Sequence, residues 1–480
     1  MKVLVIGSGA TGVSAAYAAL YRGWDVTMFD AGLTPSNNRD TQINLNSKRK
    51  NARSKGFVYQ HFPVGPKITT NYPDLILAQS FAQGGLSHVW GASIGLPSKE
   101  YFDSTTYDME EFQLHQKTLS DFLPRMSFDF KNNNSLLILS RKMLDIHERY
   151  TLKLIKGKIN FSIKETSLAI KFLQKNNCRF CNQCLIGCPY NLIWTASDEL
   201  VKLKNLGMNY LEKQRVISLE QLSDTSVCVE SLDDQGKKSK FSKFNKVFLA
   251  CGPIETFRIL ATSGMVQDEV VLKDSRVFYF ASSALRVKKR NQDEQRVSLA
   301  QLMLTLNNCE GKEITKIQLY DSSKGQHEKA RELVPVLKLL PDTILSKIMN
   351  QFVFGIGYLP SRLSPSLTLK LNSSKNVEVL PHSDVNYEDE VREIKKTLRS
   401  TLKLLRIPLL PFTFSLGQPG EGFHVGSWMS ISEKIRGTSE LPKTSGIHVV
   451  DSSAISELPL GPITELLMLN AIRIVQSIRT

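Results

Sequence analysis

Four cysteines fall within eleven residues, as Cys178-x2-Cys181-x2-Cys184-x3-Cys188-Pro189. Thiolates at x2 intervals can wrap one face of a cubane, and this spacing, proline included, is that of a bacterial ferredoxin run. A [4Fe–4S] cluster on Cys178, Cys181, Cys184 and Cys188 is the first expectation. A zinc site, which more often uses two C-x2-C pairs with a longer spacer, and free or vestigial thiols are the alternatives. In two-cluster ferredoxins the fourth cysteine of a run serves the other cluster, and no second run is present here. Either Cys188 closes the same cluster or the fourth ligand is remote, from Cys251 or Cys228. Cys309 reads as an inert residue at a strand end.

A second stretch with chemistry in its spacing is Gly7-Ser8-Gly9-Ala10-Thr11-Gly12. Lys2 to Ile6 before it reads as a buried parallel strand, Val13 to Tyr21 after it as an Ala-rich helix, and Asp25 to Phe29 as a second strand ending on Asp30. In that context Gly7 allows the tight turn, Gly9 admits a pyrophosphate to the backbone, and Gly12 lets helix and strand pack closely. The helix N-terminus offers free N–H groups and the positive end of its dipole, and Asp30 can accept from ribose hydroxyls. The motif does not separate FAD from NAD; a glycine-rich turn without a ligand is the bland alternative. Gly84-Gly85-Leu86-Ser87-His88-Val89-Trp90-Gly91-Ala92 suits backbone pressed against a flat ligand, or an ordinary turn.

These stretches need elements to hold them. Residues 33–70 read as a long polar, basic loop, 107–175 as helical, and 190–205 as a further helix. Residues 209–250 alternate as strands, with a turn at Asp233-Asp234-Gln235-Gly236, and Pro253 to Ser263 turns helical. Beyond 270, strand-like pieces (Val277–Phe280, Ser298–Leu306, Ile314–Leu319) precede Leu333 to Phe354, read as an amphipathic helix split at Pro341. Its Leu337, Leu340, Ile344 and Ile348 fit one apolar face, expected in the core, with lying on a membrane as the alternative. Lys395 to Ile407 reads as a basic helix. His448 to Val450 reads as a strand and Glu465 to Ile478 as the closing helix.

The 480 residues allow one large core or two domains, and 41% hydrophobic residues fit a globular chain. A strand starting at residue 2 leaves no room for a signal peptide, and no apolar run reaches the ~18 residues of a membrane span. The expected location is the cytoplasm, with peripheral contact at the inner face of the membrane as an addition. The net charge of +15 is partly clustered, at Lys48-Arg49-Lys50, Lys237-Lys238 and Lys288-Lys289-Arg290. Solvated loops, an anionic or lipid-linked substrate, or an anionic membrane surface are the readings. No nucleic-acid motif accompanies the charge, so nucleic acid is not expected as a partner. Clustered cysteines without a secretion signal argue for a metal or cluster site, not disulfides.

Together, several stretches resemble the glucose–methanol–choline (GMC) oxidoreductases, FAD enzymes that oxidise CH–OH groups. They are the fingerprint with Asp30, Gly84 to Gly91, Val247 to Thr256, Phe423-His424-Val425-Gly426-Ser427, and His448 to Ser453 with Pro459 and Thr464 to Ile474. The cysteine run resembles that of a branch of the family often associated with polysaccharide or glycan biosynthesis. The resemblance implies an α/β fold: an FAD-binding Rossmann-like domain of GMC type with a discontinuous α+β substrate domain. Residues 1–100, 176–270 (with the cysteine run) and 425–480 would form the FAD domain, 101–175 a helical cap region, and 271–424 the substrate domain.

For single residues it implies that Gly7, Gly9, Gly12 and Asp30 hold ADP and that the Val216 backbone meets the adenine. Gly85, Ser87 and Trp90 would line the flavin, with Asp451 near the pyrophosphate and ribityl chain. His424 would take the alcohol proton as hydride leaves for flavin N5, a role that suits an imidazole near neutral pH. The family's second His or Asn aligns with Pro462; Thr464 and Asn470 are nearby, Asn470 on the expected closing helix, and neither is a clear substitute. The expected function is oxidation of a sugar-like or other alcohol, with electrons leaving through the cluster to a one-electron acceptor protein or a quinone. An electron-transfer flavo-iron–sulfur protein without its own alcohol substrate, and a ketone reductase running in reverse, are the rivals.

Overall fold

The structure is a computed structural model that describes residues 1–33, 62–76, 79–105, 107–127, 139–156, 159–171, 178–181, 184–186, 188–223, 226–285, 297–323, 326–327, 330–331, 335–382, 387–429 and 439–479. Most of the expected loop at 33–70 and the basic clusters at 48–50 and 288–290 lie outside the described residues.

The strand Lys2–Ile6 is the centre of a five-stranded, all-parallel sheet. Its order is Ile447–Val449, Lys246–Leu249, Lys2–Ile6, Asp25–Phe29, Asn209–Leu211. Alternate side chains of a strand point to opposite faces. Val3 and Val5 join the core formed with the helices Ala10–Tyr21 and Thr464–Ser477, whereas Leu4 and Ile6 join a core with Val216, Leu219, Val227 and Val229. A strand buried on both faces reads as a continuous apolar run, which is why Val3 to Ile6 announced itself. The second layer is the antiparallel sheet Lys238–Phe244, Ser226–Leu232, Arg215–Ser223.

A six-stranded antiparallel sheet takes up much of the remainder, in the order Ser415–Leu416, Val277–Ser283, Phe352–Tyr358, Glu313–Tyr320, Leu302–Asn307, Phe161–Glu165. One face carries Phe278, Phe280, Ile317 and Leu319 into a core closed by Ile394, Leu398 and Leu402 of the helix Glu388–Leu404. On that face Gly355 and Gly357 leave room for the Phe280 and Phe278 rings; a Cβ would lie 2.1 and 2.0 Å from ring carbons. The opposite face presents Gln318, Tyr320 and Tyr358. A five-stranded sheet, Val425–Gly426, Glu269–Asp274, Ser366–Leu371, Val377–His382, Ile68–Thr69, and a small three-stranded one complete the described strands.

Two helical expectations are corrected. Within 107–175 the helices are Met109–Ser120 and Arg141–Lys156, but Phe161–Glu165 and Ser167–Leu168 are strands. Phe161–Glu165 is held by pairing with Leu302–Leu306, a partner no local pattern reveals. Among its described residues, the stretch expected as helix over Leu333 to Phe354 holds one α-helix, Asp342–Met349, after a short 3-10 turn at Pro335–Leu339, and Phe352 begins a strand. The buried residues of that helix are Leu345 and Met349, while Ile344 is 46% and Ile348 37% exposed, so the expected apolar face is not the one in the core. No helix among the described residues is long and apolar enough to cross a membrane.

Candidate active site

One cavity, of about 290 Å³, collects residues from distant parts of the chain. Gly7, Gly9, Asp30, Gly85, Ser87, Trp90, Val216, His424, Asp451 and Thr464 all line it. Gly12 does not line it: it faces the strand, where a Cβ would lie 2.0 Å from the Gly7 carbonyl oxygen. The four cysteines of the run are not in its wall either.

At the fingerprint end, Gly7 adopts a positive φ of 100° and its N–H donates to the Phe29 carbonyl at 2.8 Å. A Cβ on Gly9 would meet nothing within 4 Å, so the backbone there opens onto free space. Gly12→Ala is therefore expected to fail to fold into this turn, whereas Gly9→Ala should keep the wild-type melting temperature of the ligand-free protein. Thermal unfolding of the two variants without ligand checks the pair.

Asp30 is buried and accepts from the Ser8 hydroxyl at 2.5 Å and the Tyr210 phenol at 3.0 Å. Burial pushes its carboxyl up to about 6. Ser8 also accepts from the Gly84 N–H at 2.8 Å, which ties the fingerprint to the second glycine stretch. There the Ser87 hydroxyl donates to the Gly84 carbonyl and accepts from the Ala196 N–H, so Ser87 locks the turn to the helix Ala196–Asn205. The Trp90 indole donates to the Trp194 carbonyl at 3.0 Å, and the buried Trp194 in turn donates to Glu199.

Val216 sits on a buried charge network. Its carbonyl accepts from Arg258 at 2.5 Å. Glu255 takes Arg215 at 2.6 Å and Arg258 at 2.9 Å, with all three side chains at 5% exposure or less. The two guanidiniums hold the Glu255 carboxyl down to about 2 against the opposing effect of burial. Asp451 accepts from the Thr256 hydroxyl at 2.5 Å and the Ser453 N–H at 2.9 Å, and burial raises its carboxyl.

His424 precedes the short strand Val425–Gly426, and its carbonyl accepts from the Ser275 N–H at 3.0 Å. The imidazole stacks on Tyr358, ring centroids 4.9 Å apart and planes at 10°. Pro462 lines the cavity, whereas Asn470 is fully buried on the closing helix and accepts from Arg473.

Motif reading missed several residues. Gln79 and Ser93 line the cavity, and neither the Gln79 amide (6% exposed) nor the Ser93 hydroxyl has a partner among the described residues. Gln318, Tyr320 and Tyr358 also line it. The alternation of strand Glu313–Tyr320 contains the signal for two of them, since Gln318 and Tyr320 share a face, but nothing in that pattern says which face meets the site.

The cysteine run packs beside the six-stranded sheet, where Cys178, Cys184 and Cys188 touch its core. Burial raises the Cys178 and Cys184 thiols, and each feels Cys188 as a neighbouring charge. Among the described residues, however, no three His, Cys, Asp or Glu side chains are arranged to hold a metal ion. Cys251 lies in the cavity wall beside Thr256 and Asp451, its thiol pushed far up by burial, and Cys228 is buried in the strand Ser226–Leu232. Neither of these remote candidates is among the charge neighbours of Cys178 or Cys184.

No protein-family model matches the sequence, and no curated protein matches it. Solved structures do match. A pyridoxine 4-oxidase from Mesorbium loti superposes with a TM-score of 0.65 at 12% identity, covering 99% of this chain and 98% of its own. A formate oxidase gives 0.62 at 13% identity, with 99% and 97% covered. A formate oxidase variant from Aspergillus oryzae, described for its FAD modification, gives 0.62 at 12%. The likeness covers 99% of the chain and shows the fold, a mixed α/β architecture with a parallel sheet that these oxidases share.

Proposed function

We propose that this chain is an FAD-dependent oxidoreductase acting on the CH–OH group of a sugar-like or other alcohol. The observation that carries the reading is that one cavity has the dinucleotide fingerprint, the second glycine stretch and His424 in its wall. The residues fit the cofactor: open space above Gly9, and the unpartnered Gln79 amide and Ser93 hydroxyl, suit a large ligand rich in donors and acceptors. Gly7, Gly9, the helix N-terminus and Asp30 would hold the ADP part, Gly85 and Trp90 the flavin, and Asp451 the region of the pyrophosphate. Bound FAD supplies a two-electron acceptor for hydride. An imidazole nitrogen of His424 takes the hydroxyl proton of the substrate, so that CH–OH becomes a carbonyl as hydride and proton depart by separate routes.

That electrons then leave through a [4Fe–4S] cluster is the finer reading. Its support is the spacing of Cys178, Cys181, Cys184 and Cys188; the described side chains are not arranged around a metal, and no step is routed through one. The deciding experiment uses protein purified without air. About one FAD per chain is expected, with bleaching of the flavin by at least one member of an alcohol and sugar panel that includes pyridoxine. Protein that binds no flavin, or flavin that no alcohol reduces, would end the proposal. Iron and sulfide assays on the same sample decide the cluster separately: close to four irons per chain would establish it, and flavin without iron would leave the thiols as structural groups.

A further inference from the structure

Gln318 lines the cavity from the strand Glu313–Tyr320, 4% exposed, and takes no part in the scheme just given. Its amide oxygen accepts from two phenols, Tyr320 at 2.5 Å and Tyr358 at 3.2 Å. An amide oxygen has two lone pairs and the amide nitrogen two N–H donors. The phenols therefore fill the acceptor end, and the nitrogen has no acceptor among the described residues. Tyr358 is also the ring that stacks on the His424 imidazole. One tyrosine touches both groups, so the amide and the imidazole flank the same part of the cavity. Elsewhere in that wall, Pro462 and Ile463 bring no polar side chain.

We infer that Gln318 is the hydrogen-bond donor that holds the substrate oxygen while His424 removes its proton, an inference that rests on the alcohol-oxidation reading. As the proton leaves, negative charge grows on that oxygen. A donor already fixed in a buried wall stabilises such charge without reorganising. Pairing with Met303 and Ile356 fixes the backbone of Gln318, and the two phenols fix the orientation of its amide. Tyr320 and Tyr358 are thus positioning residues. The substrate oxygen meets a neutral donor there, which suits a hydroxyl giving up its proton.

The test uses FAD-loaded protein and 2,2,2-trifluoroethanol, an alcohol that resists oxidation, with binding read by calorimetry. Gln318→Glu keeps the volume and both phenol contacts but offers the substrate no N–H. It should weaken trifluoroethanol binding roughly three- to tenfold and slow flavin reduction by any alcohol the wild type oxidises about a hundredfold. FAD content and melting temperature should stay the same. Tyr320→Phe should weaken the same binding, and adding Gln318→Leu to it should bring no further loss, a non-additivity that a purely structural tyrosine would not give. Unchanged trifluoroethanol binding in Gln318→Glu, or none in the wild type, overturns the inference while leaving alcohol oxidation through His424 intact. Weakened binding in a protein whose flavin no alcohol reduces would instead uphold the donor and overturn the oxidation reading.

Discussion

His424→Ala should bind FAD as the wild type does and reduce it with alcohol about 10²- to 10⁴-fold more slowly, the range that a positioned acid–base group contributes. Three features separate this variant from a folding defect. The backbone at His424 is tied by its carbonyl to Ser275 and through Val425 to the strand Glu269–Asp274, bonds that do not involve the imidazole. The side chain is only half-buried, so its loss leaves no large core cavity. Its ring stacks on Tyr358, a residue not placed around ADP. The loss should fall on the limiting rate of flavin reduction, with little change in apparent substrate affinity, because the proton transfer belongs to the transition state. Added imidazole should restore part of the rate. A His424→Ala protein that keeps the wild-type reduction rate would remove His424 from the chemistry.

The second large effect is expected at a residue that touches no substrate. Glu255→Ala leaves Arg215 and Arg258 facing each other at 3% and 0% exposure, with no other carboxylate paired to either among the described residues. Breaking a buried ion pair in this way costs about 3–5 kcal/mol. Two readouts should move together: the denaturation midpoint falls, and FAD affinity falls with it, because the bond from Arg258 to the Val216 carbonyl depends on the same network. The pH dependence has a definite sign. Glu255 is held at about 2 in the folded chain, below its ordinary value of 4.5. Its contribution is therefore complete above pH ~4.5 and is lost as pH falls towards about 2. The gap in stability between wild type and Glu255→Gln should accordingly be widest near neutrality and close in acid. A gap that stays constant down to pH 3, or a Glu255→Ala protein with an unchanged midpoint, would contradict the network's role.

What could be read from the sequence follows the range of the interactions. The unit from Lys2 to Asp30 was legible because its determinants are local: a doubly buried strand, glycines at fixed offsets, a helix of small residues. The cavity's fingerprint end was legible for the same reason. Phe161–Glu165 was not, since it exists by pairing with a strand some 140 residues away. The helix expected to run to Phe354 stops at Met349 because Phe352–Tyr358 is claimed by two neighbouring strands. Gln318 and Tyr358 stayed hidden for a related reason: they come from adjacent strands with no motif, and only the sheet brings them to His424.

The parallel sheet has a consequence during synthesis. Lys2–Ile6 pairs with Lys246–Leu249, which pairs with Ile447–Val449, so the sheet closes only when a strand about 440 residues downstream appears. At ~5–20 residues per second a ribosome needs roughly 20 to 90 s to cover that distance. Throughout that interval the helix Ala10–Tyr21 lacks the closing helix Thr464–Ser477 that buries its alanines. The newborn chain thus carries this apolar stretch uncovered throughout that interval, and ribosome-bound chaperones should crosslink to Val3–Ala19 until Thr464–Ser477 emerges.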